Sequence, residues 1–264
     1  MAFVLALALG HDARAQHAPD ASPPPPAVAP ETLAKLASND ADQIRSALDD
    51  VRTAGTSGVA AVRSIVLLLQ HGVVQALTEA AIATLADIES PAASEELAVY
   101  ARHRSGRIRL AAVNALARTK GPSAIAALRV ALSDPDPSIR QSAADGLGAL
   151  HAQSALPELF LALDRRIPGV SASIGKMCLG PDCERLAEAI GVLPFEVVAS
   201  GLTPMIFRED VSDDTKVSIV SKLRSARTAD AAKFLREVQK GWPSAGSARV
   251  KEALDQAVTA TRQR

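Results

Sequence analysis

Apolar side chains return every three to four residues through most of this chain, and whole blocks of that pattern return every 31. Ile139 to Leu147 follows Ile108 to Leu116 at that period, and Ile108 to Leu116 follows Leu77 to Leu85 at the same period, with the apolar positions coinciding; Ile44 to Leu48 is a looser fourth copy. A second series runs between them at the same period, with Pro91 to Leu97 followed by Pro122 to Leu128 and then by Gln153 to Leu159. The 3.6-residue period inside each block predicts amphipathic helices. Two helices per unit at a fixed period predict an all-α fold, an α-solenoid of stacked antiparallel helix pairs. Capping residues and breakers place helices over 40–53, 59–71, 73–88, 92–102, 106–118, 122–132 and 137–150, with Asp40 and Ser105 as caps and prolines confined to turns and first helical turns. From Arg166 the repeat register is lost, while helical patterns continue over 182–192, 194–201, 213–226, 229–240 and 246–261. Residues 166–264 are therefore expected to form a degenerate helical cap, which a stack of repeats needs at its end.

Composition supports helices over sheets. Ala, Leu, Val and Ile supply most of the apolar content, against one Trp and one Tyr, and close helix packing favours small and unbranched side chains. Lys plus Arg (29) equals Asp plus Glu (29), so no global field draws in nucleic acid or an anionic membrane. Charge is nevertheless segregated along the chain. Residues 101–133 carry seven cations and no acid, whereas residues 16–100 hold eleven acids against four bases.

Asp136-Pro137-Ser138-Ile139-Arg140, followed by Ala143-Ala144 and Leu147-Gly148, resembles the second helix of a HEAT repeat, of the bacterial kind also seen in phycobilin lyases. The resemblance is strong over 74–165 and weaker over 40–73; the HEAT-like stretch as a whole is assigned to 31–165. In that family an Asp four residues ahead of the Arg caps the turn and the Arg joins a stacked ladder. Asp136 and Arg140 match that arrangement. Ser105 replaces the acid ahead of Arg109, so the resemblance implies a ladder with one inter-repeat contact missing.

The first residues read as an export signal. A short apolar run from Phe3 to Gly10 is followed by Ala13-Arg14-Ala15, a small-x-small pattern expected to be cleaved after Ala15. No basic residue precedes the run, which is expected of a start recorded downstream of the true one; an ordinary apolar terminus is the alternative. Residues 16–30, rich in proline, read as an extended linker. No other segment is expected to span a membrane, so a periplasmic or secreted protein is the expected state.

Cys178 and Cys183 are the only cysteines. In an oxidising compartment they are placed to close the turn between two helices as a disulfide; two reduced, part-buried thiols are the alternative. A zinc site is not expected, since no histidine follows His151. The HEAT-like enzymes fare no better: none of the five histidines is followed by Glu, as the His-Glu pairs of the deoxyhypusine hydroxylases require, and no phosphate loop, nucleophile elbow or paired carboxylates stand out. No cofactor is expected.

The remaining candidate is the turn Arg102-His103-Arg104-Ser105-Gly106-Arg107-Ile108-Arg109, because guanidinium groups form bidentate bonds to carboxylates. Arg104, Arg107, Arg109 and Arg140 are the partner-binding candidates, with a solvated turn and a ladder arginine as the alternative. The expected function is a non-catalytic, exported, monomeric scaffold binding a protein with an acidic segment. A HEAT-like enzyme or enzyme subunit of the lyase type, holding a ligand in a groove formed by the second helices, is the alternative.

Overall fold

Short polar side chains and prolines decide where these helices begin. A computed structural model describes residues 28–262, and among them fifteen α-helices form and no strand. They are α1 (Pro30–Leu36), α2 (Ala41–Ala54), α3 (Val62–His71), α4 (Gln75–Ile88), α5 (Ser94–Tyr100), α6 (Gly106–Thr119), α7 (Pro122–Ala131) and α8 (Pro137–Ala149). Then follow α9 (Leu156–Asp164), α10 (Val170–Met177), α11 (Pro181–Glu188), α12 (Phe195–Phe207), α13 (Asp213–Ala226), α14 (Ala229–Gly241) and α15 (Ala248–Arg262). Asp40 accepts from the backbone N–H of Asp42 at 2.8 Å, and Asp136 from that of Ser138 at 2.8 Å. Ser212 and Thr228 do the same for α13 and α14. Each satisfies an N–H that the helix itself leaves open.

Even-numbered helices from α2 to α12 stack side by side in one layer, and α3, α5, α7 and α9 lie against it as a second. The repeat is the core: Leu77, Ala81, Ile82 and Leu85 of α4, Ile108, Ala112, Val113 and Leu116 of α6, and Ile139, Ala143, Ala144 and Leu147 of α8 are all buried. Each buried Leu or Ile contributes roughly 1.5–3 kcal/mol relative to exposure.

Four details depart from the sequence pattern. Ser105 stands at the start of α6 without capping it; its side chain accepts no N–H there, and its own N–H donates to Nδ1 of His103 at 3.1 Å. The helix expected over 59–71 opens as a tight 3-10 segment, Gly55–Ala61, because Gly55 takes a positive φ of 54°. The run Ala41–His71 is by length and composition apolar enough to cross a membrane, where the sequence pattern predicts no span; it is bent at that segment, and Ile44, Ala47, Leu48 and Val51 are buried against its neighbours. Finally, α10 occupies a stretch where the sequence pattern predicts no helix, and its buried Val170 and Ile174 stand one full repeat period after Ile139 and Ala143. The repeat thus runs one helix past Arg166. It is hidden in the sequence because Ser171 and Gly175 stand where Arg140 and Ala144 stand one unit earlier.

Those two substitutions belong to a close crossing of α10 and α12. A Cβ on Gly175 would lie 2.1 Å from the carbonyl oxygen of Gly201, and one on Gly201 would lie 2.3 Å from that of Ser171. Ser171 fills the crossing with hydrogen bonds instead: its buried hydroxyl donates to the Val198 carbonyl at 2.9 Å and accepts from the Gly201 N–H at 2.8 Å. Beyond α12 the most extensive packing is of α15 against α13 and α14. The α10–α11 turn is closed by a disulfide between Cys178 and Cys183, both fully buried. The expected signal segment, residues 1–15, and residues 16–27 of the expected linker lie outside the described residues.

Candidate functional site

Six residues after its carbonyl acceptor in the preceding turn, Arg109 folds back over the start of α6. Its Nη1 donates to the carbonyls of His103 at 3.1 Å and Arg104 at 3.3 Å. Arg140, one repeat later, does the same with the carbonyls of Asp134 at 2.7 Å and Pro135 at 2.9 Å. Both arginines therefore satisfy carbonyls that the preceding turn would leave open.

Arg109 also reaches forward. Its Nε and Nη2 donate to the two carboxylate oxygens of Asp134 at 2.8 and 3.0 Å, a bidentate bond between side chains only 16% and 8% exposed. The inter-repeat contact that Ser105 put in doubt is present, supplied from the following turn. Burial would raise the Asp134 carboxyl, but the Arg109 guanidinium, the Asp136 N–H and the positive charge of Arg140 together hold it below its ordinary value. The rung is not repeated after Arg140, because Arg165 stands one repeat period after Asp134.

Three more cations of the acid-free segment are matched in the same way. Arg107 meets Glu79 at 2.7 Å, Arg118 meets Asp87 at 2.7 Å and Glu89 at 3.1 Å, and Arg129 pairs with Glu158. Asp87 takes Arg52 as well, at 3.0 Å, so α2, α4 and α6 share one ionic chain at their far edge. The acids lie 25–35 residues from their arginines, about one repeat. That separation is the signal by which sequence reading could find Glu79, Asp87, Asp134 and Glu158. Segregated charge along the chain is thus complementary charge between stacked units.

Of the four sequence candidates, Arg109 and Arg140 hold turns, Arg107 is ion-paired though exposed, and Arg104 is exposed without an acidic partner among the described residues. The structure adds Arg102, exposed and likewise without an acid there. These two flank His103, whose ring stacks on Tyr100 with centroids 6.2 Å apart. The Tyr100 hydroxyl donates to the Leu69 carbonyl at 2.8 Å, and burial followed by the charge of Glu96 raises its pKa. Clefts of about 440 Å³ and 400 Å³ open on either side of this turn, and both are lined by His103 and Arg104.

The outward face of the even-numbered layer differs in kind, with Ala83, Asn114, Gln141, Asp145 and Lys176 on it. Among the described residues no three of His, Cys, Asp or Glu are grouped to hold a metal ion.

An all-α solenoid whose repeats are tied by buried apolar stripes and arginine contacts is the architecture of HEAT repeats, and the family model for HEAT repeats matches residues 63–147 and 95–176. The matched HEAT repeats lie in residues 63–176 of this all-α solenoid. Among solved structures it is similar to the complex of CpcE and CpcF of phycocyanin lyase from Nostoc sp. PCC7120, at 16% identity over 96% of this chain and 100% of that one, TM-score 0.47. A designed armadillo repeat protein matches at 17% identity over 88% of this chain and 99% of that one, TM-score 0.43. Human deoxyhypusine hydroxylase matches at 13% identity over 88% and 95%, TM-score 0.39. No curated protein sequence matches.

Proposed function

We propose that this chain is an exported, non-catalytic scaffold that binds a protein partner through an acidic segment at the Arg102–Arg104 turn. The observation that carries this reading is charge matching: Arg107, Arg109, Arg118 and Arg129 spend their charge on neighbouring repeats, while Arg102 and Arg104 have no acid in reach among the described residues. Exposed guanidinium groups held on a rigid turn suit carboxylates of another chain, because less ordering is left to be lost on binding. The outward face of the even-numbered layer, with Ala83, Asn114 and Gln141 beside Asp145 and Lys176, supports complementarity over chemistry. A buried disulfide fits a protein that folds in an oxidising compartment.

Charge reversal tests the reading. Arg102→Glu with Arg104→Glu, in a protein melting at the same temperature as the parent, should lose most partner capture from native extract as read by mass spectrometry. An unchanged set of captured proteins would sink it. Export is tested separately by N-terminal sequencing of the native protein: a chain beginning after Ala15 in the extracytoplasmic fraction supports it, and an intact Met1 in the cytoplasm overturns it.

A further inference from the structure

The clefts beside Arg104 are parts of a longer groove. A third cleft, about 780 Å³, lies between the α1–α2 and α3–α4 turns and shares Gly72 and Val73 with the 400 Å³ cleft, which in turn shares His103 and Arg104 with the 440 Å³ cleft. Together they run along the edge where four successive turns stack: 37–40, 72–74, 101–105 and 132–136. At helix spacings of roughly 8–10 Å the four turns span on the order of 25–30 Å, the length of about eight residues of extended chain.

The two ends of this groove differ in charge more than in apolar lining, since Val130, 54% exposed, lines the last cleft as well. The groove's first part is lined by Leu36, Leu68, Val73 and Leu77, and Leu67 and Val74 stand 44% and 65% exposed at its rim. Aliphatic side chains at such exposure, gathered around one cleft, mark a contact surface when they are contiguous. The second part has Arg102 and Arg104, and no acid lines the cleft that joins the two parts. In the last cleft the single acid, Asp134, is already bound by Arg109.

Building on the scaffold reading, we infer that this edge binds one extended peptide segment of about eight residues, with aliphatic side chains at one end and two or more carboxylates at the other. The aliphatic end lies over Leu67 and Val74, and the carboxylates meet Arg102 and Arg104. Main-chain and rim contacts set the register, and the two ends set the specificity. The site is the turn edge of the solenoid and leaves the broad face of the even-numbered layer unused.

Selection of displayed random 12-residue peptides on the full chain tests this directly. The expected winners pair a short aliphatic cluster with Asp or Glu three to five residues away, and a synthetic copy binds at least tenfold more weakly to Arg102→Glu/Arg104→Glu and to Val74→Lys. Its affinity also falls as salt rises. Winners without acids, or binding indifferent to Val74→Lys, would overturn the inference. Val74-dependent self-association in sedimentation would overturn it in favour of a second copy as occupant. Val74 separates the two proposals: partner capture that needs Arg104 but tolerates Val74→Lys refutes the groove and leaves the scaffold reading standing, whereas capture that ignores Arg102 and Arg104 refutes the scaffold reading itself.

Discussion

Two halves of this solenoid are fastened by different chemistry. From α4 to α8, equal-sized units stack on aliphatic stripes and exchange charge, with Arg107, Arg109, Arg118 and Arg129 each meeting an acid of an adjacent unit. From α10 onward only one such exchange remains among the described residues, Arg249 with Asp214 at 2.7 Å; α10 and α12 approach at Gly175 and Gly201, Ser171 spans the crossing, and a disulfide closes the next turn. In a stack, each unit contacts only its neighbours, so stability is a sum of interfaces. The first half spreads its stability over several ionic and apolar contacts of moderate size. The second adds one close backbone crossing and one staple to an aliphatic core of its own.

The largest effect of a single methyl group is expected at the crossing. Gly201→Ala forces a Cβ onto the Ser171 carbonyl, which only a backbone shift can relieve, and is expected to cost about 3 kcal/mol. Thermal unfolding followed by circular dichroism should then begin roughly 6–12 °C lower; an unchanged melt would show that α10 and α12 do not cross so closely. In the first half, Asp134→Ala strands a partly buried guanidinium and should cost about 2–3 kcal/mol. Hydrogen exchange should rise in α6 and α8 while α13 to α15 keep their protection. Removing the staple with Cys178→Ser/Cys183→Ser releases a small loop and should cost about 2 kcal/mol, with new proteolytic cleavage between α10 and α11 and none before α9. Asp87→Ala, at exposed pairs, should change stability by less than about 1 kcal/mol.

The pH dependence of the two halves should differ too. Asp134 is held below its ordinary value when folded, so its contribution is complete above the unfolded carboxyl pKa of about 4 and is lost as pH falls through the depressed folded value. The stability gap between the parent and Asp134→Asn should therefore shrink between neutral pH and about pH 3. The effect of Gly201→Ala should stay constant over the same range, because nothing at that crossing titrates. A gap between parent and Asp134→Asn that does not move with pH would remove the charge from the account of the rung.

The same contrast explains why the second half is harder to read from sequence. Ile139, Ala143 and Leu147 are visible as a repeat because aliphatic and Arg positions recur at a fixed period. In α10 the core positions keep that spacing, but Gly175 and Ser171 serve a helix-to-helix contact that no local pattern announces. The candidate site is legible only as a series of arginines. Which of them are free depends on acids roughly one repeat away in either direction, and Arg140, which holds its turn as Arg109 does, lacks a forward rung only because Arg165 stands where an acid would be needed.

Periodicity, turn residues and composition alone determined that this chain forms stacked helix pairs with an aliphatic core, since those signals act within one helix or between identical units. Tertiary structure decided everything that depends on unlike residues meeting: that the positive segment is mostly neutralised by its neighbours, that Arg102 and Arg104 at one turn and Lys120 at the far end of α6 are left over, and that three clefts join along the turn edge. The physical reason is range. Helix formation and burial are written in helical turns and in whole repeats, whereas charge pairing and backbone clearance are set only when the layers are stacked.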